Sequence, residues 1–203
     1  MTDIIVQDGT RADLQTLYRS FDGGAYEARA VSLAPFDATT GAALVMDTVH
    51  HEVHEGEMFH AEHTNASVSN GASVDVLLVT GVKEVHATWE VFAGGLVTVT
   101  LYEAAVATAG TALTVYNMNR RSIKAPVSTL SHTPTGITTG SVTLVNGRIL
   151  PGGNSPQTRV GGGIRSGAEW ILLPSTKYLM RVTNGSGAAI AINVVLEWYE
   201  EAV

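Results

Sequence analysis

From Val85 to Glu103 the chain reads VHATWEVFAGGLVTVTLYE. Two runs rich in Val, Thr and aromatic residues flank Gly94-Gly95. Such residues fit a pleated surface, and a Gly-Gly pair between two strand-like runs is a hairpin signal. The stretch predicts two strands, Val85 to Phe92 and Leu96 to Glu103, joined by a tight turn. The same texture recurs upstream at Val45 to Val53, Glu57 to His63 and Ser73 to Thr80. It recurs downstream at Ala112 to Asn117, Ser141 to Leu150, Glu169 to Leu173, Lys177 to Thr183 and Ala189 to Tyr199. Asn70-Gly71, Asn146-Gly147 and Asn184-Gly185 are expected turns. Short strands separated by turns predict an all-β chain, an antiparallel sandwich or barrel spanning residues 46–203. No long helical pattern alternates with them, which argues against a Rossmann or TIM architecture.

Composition sets further bounds. The 203 residues include no cysteine, so disulfide scaffolds, Cys-ligated zinc, iron–sulfur clusters and thiol catalysis are excluded. A net charge of -7 argues against broad nucleic-acid binding, which needs a basic face. No stretch approaches the roughly 18 apolar residues of a helical membrane span, and no secretory signal is expected after Met1. Charged residues make up only 15% while 45% are hydrophobic, which predicts a surface partly hidden in an assembly.

The first 45 residues differ from the rest. Arg11 to Ser20 (RADLQTLYRS) places Leu14, Leu17 and Tyr18 at i, i+3 and i+4, which predicts a short amphipathic helix stopped by Asp22, Gly23 and Gly24. Ala25 to Leu44 reads as an irregular arm. Two further stretches break the strand meander. Arg120 to Gly140 carries Pro126 and Pro134, and Pro151 to Gly167 is glycine-rich and carries Arg159 and Arg165. Long loops in compact domains are usually functional or disordered.

The densest chemistry is HHEVHEGEMFHAEH, His50 to His63. Read as strand, His50, Glu52 and His54 share one face, with His60 on the next strand. Imidazoles with a carboxylate suit Zn²⁺ or a similar ion, so a cupin-like metal enzyme is one reading. The simpler reading is a polar or interface row with no metal, and a pH-sensitive contact is a third. Ser131-His132 has no acid beside it and no G-x-S-x-G context, so it predicts no hydrolase. Glu197, Glu200 and Glu201 read as a solvated end. Gly161-Gly162-Gly163 lacks the G-K-[ST] of a phosphate loop. Trp89, Trp170, Trp198, Tyr178 and Tyr199 are expected in the core. Arg120, Arg121 and Lys124 form a compact basic patch suited to an acidic protein surface.

Several stretches resemble a family of tailed-phage virion structural proteins. They are VHHEVHEGEMFHAEHT (49–64), DVLLVT (75–80), LYE (101–103), GTALTVYNMNRRS (110–122) and TLSHTPTGITTG (129–140), followed by EWILLPSTKYLMRVTN (169–184) and LEWYE (196–200). The family is similar to head decoration, or cement, proteins. The resemblance implies a jelly-roll-type sandwich, a homo-oligomer, expected as a trimer, and binding to the major capsid protein on the outer head surface. It implies no catalytic residue, cofactor, membrane or direct nucleic-acid partner, with synthesis in the host cytoplasm. Arg120, Arg121, Lys124, Arg159 and Arg165 are the expected capsid contacts. A head-fibre or tail receptor- or glycan-binding module is the alternative function.

Overall fold

The computed structural model describes residues 17–21, 24–28, 48–140, 142–152 and 169–201. The chain divides into two compact units, Met1–Asp47 and Thr48–Val203. In the first, β1 (Leu17–Phe21) and β2 (Gly24–Ala28) pair antiparallel from Leu17↔Ala28 to Phe21↔Gly24. Leu17 and Tyr18 are therefore strand residues, which corrects the helix expected over 11–20. The remainder of that expected helix, residues 11–16, lies outside the described residues.

The second unit begins with α1 (Thr48–Glu55) and continues through β3 (Met58–Val68), β4 (Ser73–Val79), β5 (Glu84–Ala93) and β6 (Val97–Glu103). An insertion follows, made of β7 (Val106–Thr108), β8 (Thr111–Ala112), β9 (Tyr116–Asn117), β10 (Thr129–His132) and β11 (Thr135–Thr138). The chain then forms β12 (Val142–Leu150), β13 (Trp170–Leu172), β14 (Lys177–Asn184) and β15 (Ile190–Glu201). Two antiparallel sheets result, ordered β12-β6-β14-β4-β10-β8 and β13-β5-β15-β3-β9. The all-β antiparallel sandwich expected from the strand pattern is the observed fold.

Strand alternation builds the core. Val85, Ala87, Trp89, Val91 and Ala93 of β5 are buried, and so are Ile192, Val194, Leu196 and Trp198 of β15. They share one apolar cluster with Val97, Val99 and Leu101 of β6 and Tyr178, Met180 and Val182 of β14, which come from the other sheet. Burying an aliphatic or aromatic side chain of this size contributes about 1.5–3 kcal/mol, so this interface dominates stability. Trp89, Trp198, Tyr178 and Tyr199 are buried as expected, and Trp170 is half-buried against the cluster. A second cluster, Leu77, Leu179, Ala105 and Ala107, packs with Ile137 of the β7–β11 ribbon, giving the six-stranded sheet an apolar cover.

Three local expectations are corrected. Gly94-Gly95 does not make a hairpin, because β5 and β6 lie in different sheets and the pair carries the chain across between them. A Cβ on Gly152 would overlap the Gly95 backbone, so this corner needs glycine for close approach. Asn146-Gly147 is not a turn but lies inside β12, where the register against β6 shifts between Val145 and Arg148, a bulge on an edge strand. Ala112 to Asn117 is not one strand. Thr111 and Ala112 pair with β10, whereas Tyr116 and Asn117 pair with β3 in the other sheet. Leu113 and Val115, between them, pack on the core and seal that open side of the sandwich.

Candidate functional site

A further correction concerns the histidine cluster. Residues 48–55 are helical, not extended. A spacing of four puts His50 and His54 on one face of a strand and also one turn apart on a helix, so the pattern alone fits both. Gly56 ends the helix at φ +73, where Gly56 N–H bonds Val53 O (3.1 Å) and Glu57 N–H bonds Glu52 O (3.0 Å). This is a Schellman cap.

The helix splits the expected ligand set. His50 and His54 meet, Nε2 to Nε2 at 3.0 Å. Glu52 turns instead to His51 Nδ1 at 3.2 Å. His60 sits on β3 with Nδ1 3.4 Å from Glu197, its cross-strand partner on β15. Among the described residues no three His, Asp or Glu converge as a metal cage. The cupin-like set His50, Glu52, His54 and His60 is therefore not assembled.

The other histidines are paired too. His86 stacks on Tyr199 at 4.5 Å and lies 3.5 Å from Glu169 and 3.9 Å from Glu201. Burial raises the Tyr199 hydroxyl pKa, reinforced by its hydrogen bond to Glu169. His63 stacks on His132 at 4.1 Å, bridging β3 and β10. Burial, then repulsion from His132, holds His63 below its usual pKa. His132 Nδ1 bonds the Thr133 hydroxyl at 2.6 Å, and Ser131 Oγ accepts from Gly110 N–H at 3.4 Å. Those partners leave no nucleophile–base contact between Ser131 and His132.

Glu200 corrects the solvated-end reading. It is 2% exposed, and its carboxylate accepts from Val127 N–H (2.8 Å), Ser128 N–H (2.9 Å) and Trp198 Nε1–H (3.3 Å). The bonds anchor the 123–128 loop to β15. That loop meets two strand connections at one end of the sandwich. Gly81 N–H donates to Ser128 Oγ (3.3 Å), Ser175 N–H to Gly81 O (2.6 Å) and Thr80 Oγ1–H to Leu173 O (2.7 Å). The junction presents Ile123 (99% exposed), Val82 (77%), Leu173 (57%) and Val127 (46%). Scattered exposed apolar residues need no explanation, but several from converging loops make this end a candidate contact surface.

Ionic groups border this surface. Glu57 takes Lys124 Nζ at 2.8 Å and lies 3.6 Å from Lys83 Nζ. Burial pushes the Glu57 pKa up, but the Lys124 hydrogen bond and the two ammonium charges outweigh it and hold it below the usual value. Lys124, expected to face a partner, is thus paired within the chain. Arg120 lies over the Tyr116 ring at 5.5 Å, and Arg121 is exposed. Arg159 and Arg165 lie outside the described residues. The apolar set escaped sequence reading because its members come from three separate connections, between β4 and β5, β9 and β10, and β13 and β14. The one available signal was a bulky aliphatic residue beside a turn glycine, Gly81-Val82.

Between the sheets, Trp89, Trp170, Val145, Arg148 and Met180 help line a cavity of about 40 Å³. It admits a few water molecules and not a sugar ring. Compared with known proteins, the chain matches no protein-family model and no curated protein.

Proposed function

We propose that the chain is a structural protein of a tailed-phage virion that decorates the outer head shell, adhering through the end that carries Val82, Ile123, Val127 and Leu173. The observation that carries the reading is this exposed apolar set, held in place by backbone hydrogen bonds and the Glu200 anchor. Arg120 and Arg121 stand exposed on the same insertion, available to shell carboxylates, which a planar guanidinium grips in a bidentate way.

Strand order supports the jelly-roll form of the sandwich. With the insertion β7–β11 set aside, the remaining strands of the second unit, taken first to eighth, run 1-8-3-6 in one sheet and 2-7-4-5 in the other. Pairs 1-8, 2-7, 3-6 and 4-5 are those of one long hairpin rolled upon itself. The edge strands β12 and β13 expose Val142, Ile149 and Ile171, a second apolar strip suited to contacts between copies in a trimer.

A decoration protein stabilises the shell by binding only its assembled state. Purified protein added to undecorated heads is expected to co-sediment at a fixed stoichiometry and raise their resistance to heat. The double substitution Val82→Asp with Ile123→Asp, at exposed positions, is expected to weaken co-sedimentation at least tenfold with the fold unchanged by circular dichroism. Failure of the wild-type chain to bind heads overturns the proposal.

A further inference from the structure

We infer that His50 and His54 form a two-histidine site on α1 for a divalent transition-metal ion of the Cu²⁺, Ni²⁺ and Zn²⁺ group. Both side chains are exposed, and the two rings stand edge to face with centroids 4.6 Å apart. Their Nε2 atoms are 3.0 Å apart. The two nitrogens stand at hydrogen-bond distance, and the same span is the bite of a metal ion. With metal–nitrogen bonds of about 2.0–2.1 Å, that span gives an N–metal–N angle of roughly 91–97°. An angle near 90° is the cis geometry of a square-planar or octahedral ion, and a tetrahedral ion would need the nitrogens to open by a few tenths of an ångström. An imidazole ligates through an unprotonated nitrogen, so in the bound form each ring carries its proton on Nδ1 and offers the Nε2 lone pair to the ion.

The surroundings favour a cation. His54 lies in the last turn of α1, where the helix dipole is negative. Glu52 and Glu55 lie on the same helix, and Lys124, the ammonium whose charge they feel, is held by Glu57 at 2.8 Å. The Gly56 cap and the bond from Asn119 Nδ2–H to His54 O (3.0 Å) fix the end of the helix, so the bite is preorganised. His51 is excluded from the pair because its Nδ1 lies against Glu52. Water fills the remaining coordination positions, so the site holds an exchangeable ion and is distinct from the four-residue cage considered above. It stands whether or not the chain binds a phage shell.

The test is calorimetric titration of the full chain with Cu²⁺, Ni²⁺ and Zn²⁺ in a non-coordinating buffer at neutral pH. The expected order of affinity is Cu²⁺, then Ni²⁺, then Zn²⁺. Loss of one arm of a chelate removes the high effective concentration of the second, so His50→Ala and His54→Ala should each weaken Cu²⁺ binding at least about tenfold. His51→Ala should leave it unchanged. All three positions are exposed, and circular dichroism of each variant confirms its fold. Equal Cu²⁺ affinity in the wild type and His54→Ala overturns the inference, as does absence of Cu²⁺ binding by the wild type.

Discussion

Glu200 concentrates the argument in one side chain. Its carboxylate satisfies two backbone N–H groups of the 123–128 loop and one indole, all from within the protein. Replacing it by Ala strands those donors, and an unsatisfied buried donor costs about 1–3 kcal/mol. Glu200→Ala is therefore expected to lower unfolding stability by about 3 kcal/mol in urea denaturation, against a much smaller effect for Glu201→Ala, which is exposed. Nothing in EWYEE marks the middle acid as buried. Its two backbone donors lie more than 70 residues upstream, and only the folded loop brings them to it. His63 gives a pH dependence. Its folded pKa is depressed below 6.5, so the unfolded chain takes up a proton first as pH falls. Stability is fully present above pH 6.5 and is lost as pH drops from there toward the folded pKa, then levels off. Melting temperature followed from pH 8 to pH 5 should show this decline, and His63→Phe, which keeps a ring against His132, should flatten it.

At the scale of elements, the strands that pack between the two sheets were readable and the connections were not. Residues of β5 and β6 alternate buried and less buried because every second side chain enters one core, while β14 and β15 carry buried runs such as Tyr178-Leu179-Met180 and Val194-Val195-Leu196, and the bounds of all four match the pattern within a few residues. The helix α1 was misread because its His and Glu carry no apolar periodicity and a spacing of four serves either geometry. Gly94-Gly95 was misread because a glycine pair reports a sharp change of direction and not which sheet receives the next strand. Gly56 is the position where helix and sheet are joined, and it depends on a positive φ. A side chain there would also press on Ser122, whose Cβ would lie 2.6 Å away. A left-handed conformation costs an L-residue about 1–2 kcal/mol, so Gly56→Ala is expected to destabilise by about 2 kcal/mol or more in chemical denaturation. It should also loosen α1 to hydrogen exchange before the core strands.

For the whole molecule, adhesion through shape is the proposed working principle. On the proposed reading, the apolar end and the two edge strands serve as separate surfaces, one for a shell and one for other copies of the chain. Light scattering of the purified protein is expected to give three times the 21.4 kDa chain mass. The low charge content legible in the sequence fits both surfaces, but their location was not legible, since the segments carrying Val82, Val127 and Leu173 converge only through the Gly81 and Glu200 hydrogen bonds. Electron cryo-microscopy of the native particle tests the central proposal most directly. The account predicts density for this sandwich on the outside of the head, with Val82 and Ile123 against the shell. Density confined to the tail, or a head-bound sandwich whose Val82–Ile123 end faces solvent, would contradict it.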